Sequence, residues 1–233
     1  MAAWNQPASG ERERQNRRVT RFPVLYPILD ADFVLQSHAR NLTDRWAVLR
    51  RLVRELAGAG IEILQYRNKR DDDVLVAQDA LAMREAAPLL TLILNDRAGL
   101  VLPAGWNGVH VGQEDMSPSE ARALVGQRCL VGLSTNRDEE VLAAVREPVD
   151  YIAIGPVFPT ATKTDTNPVI GLEGVARARA MTAKPLIAIG GISLENAPSV
   201  YDAGADSVAV ISAIFRPGRN PAQSAKDFLR IFE

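Results

Sequence analysis

Short apolar runs recur along the chain from Val24 onward, each followed by a longer segment of mixed character. The runs are Val24–Leu29, Ile61–Tyr66, Leu90–Leu94, Gly108–Val111, Leu130–Leu133, Tyr151–Ile154, Leu186–Ile189 and Ser207–Ile211. They are continuous and rich in Val, Ile and Leu, as strands buried on both faces should be. The intervening segments predict helices over Asp44–Ala57, Asp72–Ala86, Pro118–Leu124, Arg137–Val145, Leu172–Met181, Leu194–Ala203 and Gln223–Phe232. After the third run there is only a short helical turn, around Ala98–Leu102. Turn chemistry agrees with this reading. Gly58-Ala59-Gly60 and Ala203-Gly204-Ala205 close helices just ahead of apolar runs. Asp44, Ser117 and Ser193 stand where N-caps belong, and Pro118 follows Ser117 at the first helical position. Eight strand–helix units predict an α/β fold, a (β/α)8 TIM barrel formed as a single domain over residues 22–233. A doubly wound open sheet is the alternative. It would more often carry a Gly-rich turn after its first strand, and Pro27-Ile28-Leu29-Asp30 is not one.

Composition narrows the function classes. The formal net charge of −1 offers no basic field for nucleic acid. No apolar run approaches the ~20 residues that a membrane helix needs. The one cysteine, Cys129, excludes an intramolecular disulfide and sits in an apolar run, as a small buried hydrophobe would. A reducing cytoplasm is the simple inference. Residues 1–21 differ from the rest: Arg12, Arg14, Arg17, Arg18 and Arg21 are interleaved with Glu11, Glu13, Gln15 and Asn16. This reads as a disordered tail, with no apolar stretch of the secretory kind after it.

In such a barrel the active site lies at the carboxyl ends of the strands. The second run leads to Gln65, Arg67 and Lys69, the third to Asn95 and Asp96, and the fourth to His110 and Asp115. The fifth ends in Ser134, the seventh in Gly190-Gly191 and the eighth near Ser212. The sixth runs into a loop, Gly155 to Lys163, that holds Thr160, Thr162 and Lys163. Hydroxyls and an ammonium there suit a phosphate-bearing ligand. The chain has four lysines against 23 arginines, and Lys69 and Lys163 both fall in site-like contexts. Gly190-Gly191 with Ser212 reads as a phosphate cup, although a tight turn would also need glycine. Asp96 and Asp115 come from adjacent strands and could hold Mg2+. Taken singly, Asp96 could instead pair with Arg97, and Asp115 could be a solvated loop acid. Gln65, Arg67 and Lys69 recur at period two, which places them on one face if the strand persists. His110 reads as an inward layer residue rather than a base. The residues thus describe two anion-binding regions and a Mg2+ site.

These motifs resemble the thiamine phosphate synthase family. The matching segments are Gln65 to Lys69, Leu94 to Arg97, Gly108 to Asp115, Val131 to Thr135, Gly155 to Lys163, Ala188 to Ile192 and Ala209 to Ala213. The resemblance implies a transferase that joins hydroxymethylpyrimidine diphosphate to hydroxyethylthiazole phosphate, releasing pyrophosphate. It implies that Gln65, Tyr66, Arg67, Asn68, Lys69, Asn95, Ser134 and Lys163 hold the pyrimidine diphosphate. Thr160, Ala161, Thr162, Gly191, Ile211 and Ser212 would hold the thiazole phosphate, and Asp96 and Asp115 the Mg2+. Arg67, Lys69, Ser134 and Lys163 would assist catalysis. The partners implied are phosphorylated pyrimidine and thiazole substrates, with no nucleic acid or membrane; a homo-oligomer is compatible with them. The chain departs from the family at Asn136, where histidine is frequent, and at Asn107, where aspartate is common. A thiazole tautomerase-like barrel and a non-catalytic barrel that binds thiamine precursors are the rival readings.

Overall fold

In the computed structural model, which describes residues 22–38, 42–160 and 168–232, eight parallel strands close into a barrel in sequence order. The strands are β1 (Leu25–Asp30), β2 (Ile63–Arg67), β3 (Thr91–Asn95), β4 (Gly108–Val111), β5 (Leu130–Thr135), β6 (Tyr151–Ile154), β7 (Leu186–Ile189) and β8 (Ser207–Val210). Closure comes from β1 pairing with β8, with Tyr26 opposite Ala209. The helices are α1 (Ala31–His38), α2 (Leu42–Gly58), α3 (Asp73–Ala86), α4 (Ala98–Val101), α5 (Pro118–Val125), α6 (Asp138–Arg146), α7 (Gly171–Met181), α8 (Ala197–Asp202), α9 (Ser212–Phe215) and α10 (Pro221–Leu229). A 3-10 turn, Arg230–Phe232, follows the last. The expected (β/α)8 barrel is therefore the fold. The expectation of a disordered tail over residues 1–21 concerns residues outside those described.

Strand alternation divides the core in two. Leu64 and Tyr66 of β2 pack outward against the helices, whereas Ile63 faces the barrel interior. The interior also holds Tyr26, Ile28, Ile93, Tyr151, Ile187 and Ala209. Phe22 joins them by packing its ring against Tyr26 and Tyr151, with centroids 5.9 and 5.0 Å away. Gly60 and Gly204 turn the chain with positive φ between a helix and the next strand, as expected of the two glycine-bearing closures.

Of the three expected N-caps, one stands and two differ. Ser117 is an N-cap, and with Glu120 it forms a capping box. Asp44, by contrast, lies inside the first turn of α2, where its charge favours the positive end of the helix dipole. Ser193 does not cap α8. Asn196 accepts from the Ser193 N–H and donates to the Gly191 carbonyl, and the helix begins only at Ala197, with Pro198 in its first turn. Helices α1 and α9 were not expected. The Asp30 Oδ1 accepts from the Phe33 N–H at 3.1 Å, the arrangement of an N-cap for α1. Helix α9 has four residues and is too short to show a period. Cys129 is a free, buried cysteine, and burial pushes its thiol up. Asn107 lies at the far end of the barrel from the strand termini, where its Oδ1 accepts from the Leu92 N–H and from Arg84.

Candidate active site

The strand carboxyl ends surround a cleft of about 1450 Å³. Arg67, Lys69, Asn95, Asp96, Asp115, Ser134, Thr160, Gly191, Ile211 and Ser212 all line it. So do Asp30, Gln113, Asn136, Arg137, Glu140, Glu195, Arg216 and Arg219, which sequence reasoning either missed or gave no role. Ala161, Thr162 and Lys163 lie outside the described residues.

The β2 run splits. Arg67 forms an ion pair with Asp30, and Lys69 pairs with Asp96 and, at 3.5 Å, with Asp115. Cations at this rim are thus answered by carboxylates of the neighbouring strand ends, not by the aspartates that follow Arg70. Gln65 is 2% exposed and lies below the mouth, with its amide nitrogen on the Tyr26 hydroxyl. Tyr66 and Asn68 do not face the mouth. The Tyr66 hydroxyl donates to Asp79 at 2.5 Å on the helix side of the barrel wall. Asn68 is 2% exposed; its amide bonds Tyr66 and Asp71, and its Oδ1 accepts from the backbone N–H groups of Arg70 and Asp71.

A scaffold of charges stands behind this loop. Arg45 of α2 donates to both oxygens of Asp79, to the Tyr66 hydroxyl and to Asp71. Arg97 donates to the backbone carbonyls of Asn68 and Asp71 and pairs with Asp73 at 2.7 Å. The loop that bears Lys69 is therefore clamped from α2 and from the β3 end. Arg97 does not pair with Asp96, so that local surface pair is absent.

Asp96 takes a left-handed backbone, φ 64°, which aspartate tolerates better than most residues. Its N–H donates to the His110 carbonyl at 2.8 Å. Asp115 is anchored by the Gly112 N–H at 2.9 Å. Burial raises the Asp96 carboxyl above its usual value and Asp115 raises it further, against the pull of Lys69. Burial also raises Asp115, but hydrogen bonds from Asp96 and Gly112, with Lys69, outweigh it and hold that carboxyl low. The two acids thus affect one another's titration, with Asp115 the more acidic of the two. Among the described residues no group of three or more His, Cys, Asp or Glu converges to hold a metal ion. Two carboxylates gathered around one ammonium nonetheless present hard oxygens to the cleft.

The opposite side of the mouth is built differently. Gly190 and Gly191 have φ of 102° and 63°. A Cβ at Gly190 would lie 2.6 Å from Pro156 Cα, and one at Gly191 would lie 2.6 Å from the Pro159 carbonyl oxygen. These glycines are required by both conformation and space. Ser212 opens α9 beside them, after Ile211. Asn95 is 7% exposed, and its Nδ2 has no hydrogen-bond partner among the described residues. His110 is buried, as expected of a layer residue, with its Nε2 2.8 Å from the Ser134 Oγ.

A closed parallel barrel with a charge-paired, polar mouth at its strand carboxyl ends defines a barrel enzyme with its site at that rim. Comparison with known proteins makes this specific. The thiamine monophosphate synthase family profile matches residues 34–214. A thiamine-phosphate synthase of Koribacter versatilis is 45% identical over 213 residues, 91% of this chain and 96% of the relative. One of Chloroflexus aurantiacus is 41% identical over 157 residues, 66% of this chain and 72% of the relative. Among solved structures, thiamine phosphate pyrophosphorylase from Pyrococcus furiosus matches with a TM-score of 0.74 at 28% identity, over 89% of this chain and 94% of that one. The chain belongs to the thiamine monophosphate synthase family.

Proposed function

We propose that the chain joins hydroxymethylpyrimidine diphosphate to hydroxyethylthiazole phosphate, forming thiamine phosphate and pyrophosphate. One observation carries the reading: a single cleft is lined by two unlike polar regions, the Arg67–Lys69–Asp96–Asp115 cluster and the Gly190–Gly191–Ser212 cup. Two phosphorylated substrates need such a division. In this reading the cup takes the thiazole phosphate through backbone N–H groups and the Ser212 hydroxyl, with Thr160 and Ile211 beside it. Arg67 and Lys69 face the diphosphate, and the Asn95 amide, which has no partner among the described residues, supplies a donor to the pyrimidine edge. Lys163 and its neighbours Ala161 and Thr162 keep the roles that the motif suggests.

The donor set fits Mg2+, which takes one or two carboxylates and completes its shell with water and phosphate oxygens. Asp96 and Asp115 would hold it, and when bound it neutralises charge on the diphosphate. The chain's own part is to orient and to stabilise. Arg67 and Lys69 meet the negative charge that grows on the departing diphosphate. The diphosphate departs with the electron pair of the broken C–O bond, the pyrimidine methylene carbon is left as a cation, and the cup sets the thiazole nitrogen to attack it. No side-chain nucleophile is called for. A reducing cytoplasm suits the free Cys129 thiol, and no described helix is long and apolar enough to cross a membrane.

The test is pyrophosphate release by the purified chain given both substrates, with Mg2+ and with EDTA. Mg2+-dependent release with thiamine phosphate as product is expected. Saturable binding of thiazole phosphate without release would overturn the reading in favour of a binding or tautomerase barrel.

A further inference from the structure

Beneath the mouth, five polar side chains from five strands form an unbroken hydrogen-bonded path. The Gln65 Nε2 lies 3.1 Å from the Tyr26 hydroxyl, which lies 2.9 Å from that of Tyr151. The Tyr151 hydroxyl is 3.1 Å from the His110 Nδ1, and the His110 Nε2 is 2.8 Å from the Ser134 Oγ. The His110 ring stacks on Tyr151, with centroids 5.5 Å apart. Room for the Tyr151 ring is made by Gly132 of β5, where a Cβ would lie 2.0 Å from Tyr151 Cζ. The path is therefore built into the barrel wall.

Its direction follows from counting protons. Each phenol carries one, and burial keeps both phenols protonated by raising them far above their usual values. The Gln65 Nε2 can only donate, so the Tyr26 oxygen accepts there and its proton goes to Tyr151. The Tyr151 proton then goes to the His110 Nδ1. An imidazole that accepts at Nδ1 carries its proton on Nε2, and this one donates to the Ser134 oxygen. The Ser134 hydroxyl proton is left to point into the cleft that Ser134 lines.

We propose that Gln65, Tyr26, Tyr151, His110 and Ser134 form a one-directional relay. It fixes His110 as the Nε2–H tautomer and presents Ser134 as a donor to an acceptor oxygen of the bound phosphorylated substrate. Tyr26 and Tyr151 are positioning residues that act through His110. The identity of the ligand rests on the synthase reading; the direction of the relay does not. The same direction removes His110 from service as a general base, because the nitrogen nearest the mouth already bears a proton.

Long-range 15N–1H spectra of the full chain test this without substrate, and His38 is the only other histidine to assign. Wild-type His110 is expected to show a protonated Nε2 and a hydrogen-bonded, unprotonated Nδ1. Tyr151→Phe is expected to move the Nδ1 resonance to that of a free acceptor. It should also lower kcat on the order of 10-fold with the KM for thiazole phosphate unchanged. Where Tyr151→Phe does not fold, Tyr26→Phe removes the upstream donor and should move the same resonance by less. A proton on Nδ1 in the wild type overturns the direction. An unmoved resonance in the folded variants overturns the relay, and a moved resonance with unchanged kcat overturns the positioning role. A chain that makes no thiamine phosphate but shows the expected spectra would lose the synthase reading alone.

Discussion

In the proposed reading the two sides of the mouth bind anions by different physics. On the β2–β4 side, charged side chains face one another: Lys69 between Asp96 and Asp115, and Arg67 against Asp30. Each must exchange a partner when a ligand arrives, so this side answers to ions. On the β7–β8 side, the cup is backbone and hydroxyl, wedged by Gly190 and Gly191 against Pro156 and the Phe158–Pro159 turn. Its shape exists before any ligand. The exposed charges on that side, Glu195, Arg216 and Arg219, line the cleft but do not form the cup. One barrel thus carries an adjustable, charge-dense site and a rigid, nearly chargeless one, as would suit a departing diphosphate and a phosphate held still.

Removing a carboxylate should separate the two sides most sharply. Asp96→Ala takes one of two hard ligands from the proposed cation site and frees Lys69 from its closest partner. Mg2+-dependent pyrophosphate release should fall roughly 100- to 1000-fold. Thiazole phosphate titrated into the same variant calorimetrically should bind as in the wild type. Unchanged turnover with Mg2+ would end the metal assignment; loss of thiazole phosphate binding would end the division into two sites.

The reciprocal change is smaller. Gly191→Ala forces a Cβ toward the Pro159 carbonyl at positive φ, at a cost of about 1–3 kcal/mol in strain or displacement. Affinity for thiazole phosphate should weaken by about 10-fold. The Mg2+ concentration for half-maximal activity should stay put. If Gly191→Ala shifts the Mg2+ dependence instead, the two sides are coupled and the contrast fails.

The contrast also explains what the sequence disclosed. Continuous Val, Ile and Leu runs admit little but a two-sided strand, and β4, β6 and β7 fall where the runs place them. The glycine pair and the two acids were readable from position alone, because strand ends in a barrel share one rim. Partnerships were not readable. Nothing in Gln65-Tyr66-Arg67-Asn68-Lys69 says that Tyr66 and Asn68 turn to Asp79 and Asp71, since both partners lie beyond the strand. Alternation did offer a signal: period two, which put Gln65 and Arg67 together, also sends Tyr66 to the opposite face. Asp30 was read only as the end of a turn without glycine; its capping of the Phe33 N–H and its bond to Arg67 both needed the folded barrel.

The scaffold behind the charged side provides the gentlest test. Burial raises the Asp71 carboxyl, but hydrogen bonds from Asn68 and Arg45, with the nearby charges of Arg45 and Arg97, outweigh it and leave the group below its usual 3.8. A carboxyl depressed in the folded chain stabilises the fold fully above its unfolded value. That contribution is lost as pH falls through the lower, folded value. Asp71 is about a third exposed, so its ion pair should contribute below about 1 kcal/mol. Asp71→Asn should therefore lower the urea midpoint slightly at pH 7, and the gap to the wild type should narrow as pH drops below about 4. The cup has no acid in the same position, and Gly191→Ala should hold a constant gap over that range. A gap for Asp71→Asn that does not change with pH would mean that the loop is held by the backbone bonds to Arg97 and Asn68, with the Arg45 ion pair contributing nothing measurable.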